Sequence, residues 1–124
     1  MQGVLLTLEP STSLDYPLPA AHRVFVYVLS GPATVAGRQV TAGQTAWSDP
    51  VDGVTGDSTL PFTTPGGDEV TRLIAFSGTP LREPVAVGGP FVMNHRTEIA
   101  QAFMDFHAGK FGDIPRHARL EALP

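Results

Sequence analysis

The side chains of this sequence that could carry out metal or nucleophile chemistry include four histidines but no cysteine. Without a thiol, the chain has no disulfide, no thiolate metal ligand and no thiol nucleophile. Imidazoles bind Fe(II), Mn or Cu when several ligands converge on one ion. His22 stands alone before the apolar run 24–29, whereas His95, His107 and His117 lie in the last third of the chain. We therefore expect no metal and no other cofactor.

Three residues are candidates for a ligand pocket, namely His22, Tyr27 and Trp47. His22 could orient a ligand or act as a base at the mouth of a barrel, or it could serve as a hydrogen-bonded structural residue. Tyr27, Trp47 and Tyr16 could line a pocket for a planar apolar ligand, or they could simply fill a core. Tyr27 lies in the strongest strand and is expected to point inward.

The elements that position these residues read as short strands. Residues 22–31, HRVFVYVLSG, are apolar on both alternating faces, which is typical of a central strand covered on both sides. Further strand patterns occupy 3–10, 33–40, 41–48 and 69–78, with turn signals about every eight to twelve residues. This spacing predicts an all-β sandwich or barrel.

Two segments are expected to be mainly loop. The first is STSLDYP, residues 11–17, where Pro17 and Pro19 restrict the chain to extended or turn geometry. The second is 49–69, which is rich in turn residues and has room for one short strand near 60–63.

The end of the chain has a different pattern. Residues 79–94 are punctuated by Pro and Gly and should be extended, whereas apolar residues then recur at helical spacing from about 95 to 108. Asn94 or His95 can cap this helix, with Glu98 as the capping-box carboxylate, and Gly109 can end it. Its apolar stripe should lie on the sheet or on a partner. The tail 113–124 is either a short docking helix around 118–122 or disordered.

Length and charge limit the class of protein. A chain of 124 residues is expected to form one domain, 1–124. Eight basic and twelve acidic residues without a basic cluster argue against a nucleic-acid partner. The apolar runs are too short to span a membrane, and the start lacks the pattern of a signal peptide, so a cytoplasmic protein is expected.

Several motifs resemble the C-terminal cupin domain of the pirin family. They are YVLSG at 27–31, GTPLREPVAVGGPFVMN at 78–94 and AGKFG at 108–112. The resemblance covers about residues 3–112. It implies a cupin double-stranded β-helix, a jelly-roll barrel, with one C-terminal α-helix that follows the extended crossing segment 79–94.

The resemblance also bears on metal chemistry. A cupin centre usually has two histidines separated by one residue and a glutamate before the YVLSG element, with a further histidine from a later strand. The matching places here hold Pro17, Pro19 and either Arg23 or Val24. In pirins the metal site belongs to the N-terminal barrel. A non-catalytic or catalytically incomplete cupin module is therefore expected, and the alternative is a quercetin dioxygenase-like or other small-molecule enzyme.

Partners follow from the missing first barrel. In a two-barrel pirin the second barrel buries part of its surface against the first. A chain with the second barrel alone leaves that surface exposed, and a two-fold homodimer is the simplest way to bury it. We expect the dimer to be joined through barrel strands, the terminal helix or both. A small apolar ligand or a protein partner is a further expectation. A piece of a longer pirin-like protein is the third alternative.

Overall fold

The computed structural model describes residues 1–51 and 53–114 of the chain. The described chain divides into a first unit, Met1–Leu81, and a second unit that begins at Arg82. No helix in this part of the chain is long and apolar enough to cross a bilayer.

The first unit consists of two four-stranded antiparallel sheets. Sheet I has the strand order β1-β8-β3-β6, and sheet II has the order β2-β7-β4-β5. The double-stranded β-helix predicted from the sequence is confirmed. The strands are β1 (Gln2–Leu8), β2 (Ser13–Pro19), β3 (Arg23–Ser30), β4 (Ala33–Val35), β5 (Arg38–Val40), β6 (Thr45–Ser48), β7 (Asp57–Thr63) and β8 (Thr71–Gly78).

The core lies between the inner faces of the two sheets. In β3 every second side chain is buried, so that Val24, Val26 and Val28 are 3%, 1% and 0% exposed. Sheet II contributes Leu60 and Phe62 from the inner face of β7 to the same cluster. The two-residue periodicity of the strands therefore produces an apolar interior.

The outer face of β3 corrects one expectation. The strand is central, because it pairs with β8 on one side and β6 on the other. It is not covered on both faces, since Tyr27 and Leu29 are 37% and 41% exposed. The apolar residues on the outer face of β3 therefore form an exposed apolar surface and are not covered by another layer of the described chain.

The loop expected at 11–17 is also wrong, because β2 runs over Ser13–Pro19. β2 is an edge strand that pairs only with β7 among the described strands. An edge strand tolerates Pro17 and Pro19, since a missing amide on the open side costs no ladder hydrogen bond. Prolines in this sequence therefore protect an edge instead of interrupting a sheet.

The second unit is a hairpin followed by a helix. Strands β9 (Ala86–Gly88) and β10 (Phe91–Met93) pair within the segment 79–94, which was expected to be extended. The helix α1 runs over Arg96–His107, and the His95 backbone N–H donates to Glu98 Oε2 at 2.8 Å. Gly109, with φ of 72°, follows the helix as predicted. The expectations for the tail at 115–124 lie outside the described residues.

Close packing joins the helix to its own hairpin. A Cβ added at Gly88 would lie 2.5 Å from Ile99 Cγ2. The Phe91 and Phe103 rings meet edge to face at 5.1 Å between centroids. Ala102 is the buried residue of the apolar stripe. Glycine in β9 is therefore what allows the helix to approach the hairpin.

Candidate functional site

His22 lies at the rim of the sandwich, in the turn that connects β2 to β3. Its backbone N–H donates to the Pro19 carbonyl oxygen at 3.0 Å. Its Nδ1 shares a 3.0 Å hydrogen bond with the hydroxyl of Ser77, which is 7% exposed near the end of β8. The imidazole is therefore held against the end of β8, with one ring nitrogen engaged, and its role at a ligand pocket stays a prediction.

The two tyrosines lie on opposite sides of their sheets, with Tyr27 on an outer face and Tyr16 towards the core. Tyr27 is 37% exposed on the outer face of β3, since the neighbouring Val26 and Val28 occupy the inner face. The expectation that Tyr27 points inward is wrong. Tyr16 of β2 is partly buried and packs against the core cluster. Alternation along each strand decides both orientations, because adjacent residues lie on opposite faces.

Trp47 is 69% exposed in the edge strand β6 and does not belong to the core. Its ring contacts Phe25 edge to face, with 4.7 Å between the centroids. Phe25 is the register partner of Trp47 on one side and of Phe76 on the other. The residues Phe76, Phe25 and Trp47 thus form an aromatic row across β8, β3 and β6 on the outer face of sheet I.

A second row of apolar residues runs beside the aromatic row. Leu5, Ile74 and Tyr27 are register partners across β1, β8 and β3. Gly3 pairs with Phe76, and a Cβ at Gly3 would lie 2.9 Å from Phe76 Cε1. Gly3 therefore leaves space for the Phe76 ring at the edge of the row.

Phe25 and Phe76 were not among the residues singled out from the sequence. The signal that could have found them is the apolar character of both faces of β3, together with the continuous apolar run LIAF at 73–76 in β8. Once each strand has filled the core with one face, the apolar residues on its other face form a surface.

A groove of about 710 Å³ lies at the end of sheet I. The aromatic row forms its apolar side, and His22 and Ser77 form its polar side. The remaining lining comes from Met1, Arg23 and residues 78–81. Of the three pocket candidates, His22 and Trp47 line this groove, while Tyr27 lies in the neighbouring row.

The interior of the barrel is nearly filled. Among the described residues, a cavity of about 80 Å³ lies under Val26, Val35 and Leu60, next to Trp47. Such a volume holds a few waters, whereas small-molecule sites usually have about 300–1,000 Å³. Among the described residues, ligand-sized spaces lie outside the core, namely the groove of about 710 Å³ and a space of about 540 Å³ lined by residues of β5 and β6, including Trp47.

The residues at the cupin metal positions do not fit a metal ion. Pro17 is exposed and has no side-chain donor. Arg23 Nη2 forms an exposed ion pair with Asp49 Oδ1 at 2.8 Å. Within 1–51 and 53–114, no three His, Cys, Asp or Glu side chains converge. This donor set cannot supply the imidazoles and carboxylate that such a centre uses.

The other histidines have local roles or lie outside the described residues. His95 caps α1, and His107 Nδ1 donates to the Phe103 carbonyl oxygen at 2.7 Å in the last turn. His117 belongs to the part of the tail that the structure does not describe.

One carboxyl group in the second unit has a perturbed pKa. Asp105 Oδ1 accepts hydrogen bonds from Lys110 Nζ at 2.7 Å and from Gln101 Nε2 at 2.8 Å. These donors, Lys110 first, lower the pKa of Asp105 from its usual value of 3.8. The group joins the last turn of α1 to the residues that follow it.

Comparison with known proteins shows which sequences and structures this chain is similar to. The sequence matches the model of the pirin C-terminal cupin domain over residues 3–112. Pirin of Homo sapiens is 32% identical over 109 residues, which are 85% of this chain and 35% of that protein. The chain therefore spans about a third of the length of such a relative.

Solved structures agree with the sequence match. A crystal structure of quercetin 2,3-dioxygenase from Acinetobacter baumannii has a TM-score of 0.72 at 30% identity, over 87% of this chain and 35% of that one. A de novo designed double-stranded β-helix has a TM-score of 0.51 at 12% identity, over 63% of this chain and all of that one. The second similarity concerns the fold alone.

Proposed function

Because this chain belongs to the pirin family and corresponds to its C-terminal cupin domain, we propose that it is a catalytically incomplete cupin module that works by binding at its surface. Its own barrel does not serve as a metal centre in this proposal. The module presents an apolar sheet face and groove to a partner or ligand.

The observation that carries the proposal is the packing of the barrel interior. A metal centre that binds a substrate inside a barrel needs space beside the ion for that substrate. Here apolar residues such as Val24, Val26, Phe62 and Leu73 occupy it at 0–3% exposure, and the cavity beside them is about 80 Å³. Metal-binding side chains with water or substrate would need several of these residues to be replaced.

Metal retention tests the proposal directly. The purified protein is incubated with Fe(II), Mn(II), Cu(II) or Ni(II) and desalted. Bound metal is then measured by elemental mass spectrometry. We expect far less than one metal per chain, since isolated surface imidazoles bind weakly. A double variant, His95→Gln with His107→Gln, is the control for surface binding. One metal per chain that survives desalting in both proteins would overturn the proposal.

A quercetin dioxygenase-like activity is the second candidate function. It is supported by the structural similarity to a quercetin 2,3-dioxygenase at 30% identity. That similarity covers 35% of the other chain, so the chemistry of the whole protein need not belong to this part of it. Oxygen consumption with quercetin, compared with metal salts alone, tests this candidate. We expect no difference, and metal-dependent turnover by this chain would favour the enzyme.

The groove supports binding of a small apolar ligand as part of the proposed function. Planar aromatic compounds can pack against Trp47 and Phe76, while His22 and Ser77 offer polar groups on the other side of the groove. Quercetin can serve as a probe, because Trp47 is the single tryptophan of the chain and reports on its own surroundings. We expect quenching of Trp47 emission that saturates.

A matched pair of variants makes the ligand test specific. Phe76→Ala removes one wall of the groove and should weaken quenching by about tenfold. Val54→Ala changes an apolar residue of similar exposure, 47% against 43% for Phe76, outside the groove. Equal quenching in both variants would place the probe elsewhere.

A further inference from the structure

The two sheets of the first unit present opposite chemistry on their outer faces. The outer face of sheet II is polar or proline-rich. Its exposed residues include Ser13, Asp15, Pro17, Thr59, Pro61 and Thr63. The outer face of sheet I carries the aromatic row and the row of Leu5, Ile74 and Tyr27. Sheet II shows that a sheet of this sandwich can have a polar outer face. The apolar outer face of sheet I is therefore not a requirement of the fold.

The exposed apolar area of sheet I, together with Met1 and Leu81 beside the groove, has the size of an interface. On this face Trp47, Leu5, Phe76, Leu29 and Tyr27 are 69%, 54%, 43%, 41% and 37% exposed. Aromatic side chains can bury about 150–250 Å² each. At about 200 Å² per side chain, these five fractions leave on the order of 500 Å² on the sheet, and Met1 and Leu81 beside the groove, 100% and 79% exposed, raise the apolar surface to on the order of 800 Å². A standard interface buries about 800 Å² per partner. Isolated monomers rarely expose such a patch.

The charges around this face allow a second copy to approach it. Neither row contains a charged residue. Arg72 lies at one end of the sheet, and Arg23 and Asp49 at the other end neutralise each other at 2.8 Å. Two copies of the face therefore meet without burying like charges in its centre, which a self-complementary two-fold interface requires.

We infer that two copies of this chain associate face to face through the outer face of sheet I, with the aromatic row at the centre of the interface. Trp47, Phe25 and Phe76 are the anchors, in line with the enrichment of aromatic residues at the centres of interfaces. The inference rests on the proposed function, since it names the partner of the surface that the module presents. A ligand in the groove would compete with this association.

The experiment measures mass and tryptophan environment over one dilution series. Native mass spectrometry and light scattering of the full chain should give twice the chain mass of 13.1 kDa at micromolar concentration. Because Trp47 is the single tryptophan, its emission should shift to longer wavelength as dilution separates the copies. Phe76→Glu and Leu5→Lys should each weaken association by about tenfold or more.

Val54→Glu is the matched control, because it places a charge on an apolar residue that is 47% exposed and lies in neither row. It should leave the dimer intact, and circular dichroism should show that all three variants fold. A dimer that persists in both Phe76→Glu and Leu5→Lys would overturn the inference. So would a dimer in which Trp47 emission is independent of dilution, because its interface would lie elsewhere.

A monomer at every concentration would also overturn the inference and would leave this face to another partner or to another domain of a longer chain. The metal assay remains a separate measurement. Tight metal binding would contradict the proposed function without changing the mass result, and a monomer without metal would contradict the dimer while leaving the proposed function intact.

Discussion

His22 Nδ1 lies 3.0 Å from Ser77 Oγ, so a side-chain hydrogen bond joins the turn before β3 to the end of β8, 55 residues away. Ser77 is 7% exposed, and its register partner in β3 is Val24. The bond therefore ties the turn between β2 and β3 to β8 beside the groove, which both residues line.

Ser77→Ala should destabilise the fold by about 1 kcal/mol, because it removes this partly buried hydrogen bond and leaves the imidazole nitrogen to find water. Urea unfolding followed by circular dichroism measures the change. Ser13→Ala, on the exposed face of β2, is the control and should change stability by less than about 0.5 kcal/mol. Equal effects of the two substitutions would show that the His22 contact contributes nothing to stability.

Gly31→Ala should be far more destabilising than Gly43→Ala, although both glycines have positive φ, 76° and 81°. A Cβ at Gly31 would lie 2.7 Å from Thr71 Oγ1 and from the Val70 carbonyl oxygen, whereas open space surrounds Gly43. The left-handed strain common to both costs about 1–2 kcal/mol. Overpacking at Gly31 adds about 1–3 kcal/mol.

Thermal melting of both glycine variants in parallel measures this difference. The two glycines are well matched, since backbone strain is nearly the same and only the space for a methyl group differs. Identical melting temperatures would show that the strand end around Thr71 moves to admit the new side chain.

Gly88→Ala should loosen α1 from its hairpin and cost about 1–3 kcal/mol, because the new methyl group would overlap Ile99 Cγ2. Ile99→Ala removes that atom, so the penalty of Gly88→Ala should fall in the Ile99→Ala background. Amide hydrogen exchange of α1 in the two single variants and the double variant gives the coupling. Purely additive effects would contradict the close contact.

Asp105→Asn should weaken the end of α1 at neutral pH and have little effect in acid. Lys110 and Gln101 lower the pKa of Asp105 below 3.8, so the stabilisation is complete above this value and is lost as pH falls through the lowered pKa. Nuclear magnetic resonance of helical amides at pH 7 and at strongly acidic pH measures the difference. Gln101→Ala is a milder control, since it keeps the Lys110 contact, and a variant effect that is the same at both pH values would contradict this assignment.

Much of the fold follows from local sequence. The β-branched and aromatic residues of the run 24–29 predict a strand, and turn residues predict where strands end. The helix is local in the same sense, because Glu98 lies three residues after His95 and Gly109 follows the apolar stripe. Such features depend on residues that lie close together along the chain, so they can be inferred from a single sequence.

The prolines of β2 show where local inference stops. Pro17 and Pro19 read as interruptions, yet they lie in a strand because β7 pairs with the side of it that does not need their amides. Whether a strand lies at an edge depends on long-range pairing, and no residue within the segment specifies it.

The sequence by itself determined most of the strands and the capped helix, since these follow from residue types at short spacing. The poor fit of residues 17–24 to a metal site follows from the resemblance to the pirin family. Only the tertiary structure decided which apolar residues face the core. Pairing of β3 with both β6 and β8 aligns Phe25 with Trp47 and Phe76 and turns Tyr27 outward. The sequence shows that both faces of β3 are apolar. Only the packing of sheet II on one face decides that the other face remains at the surface.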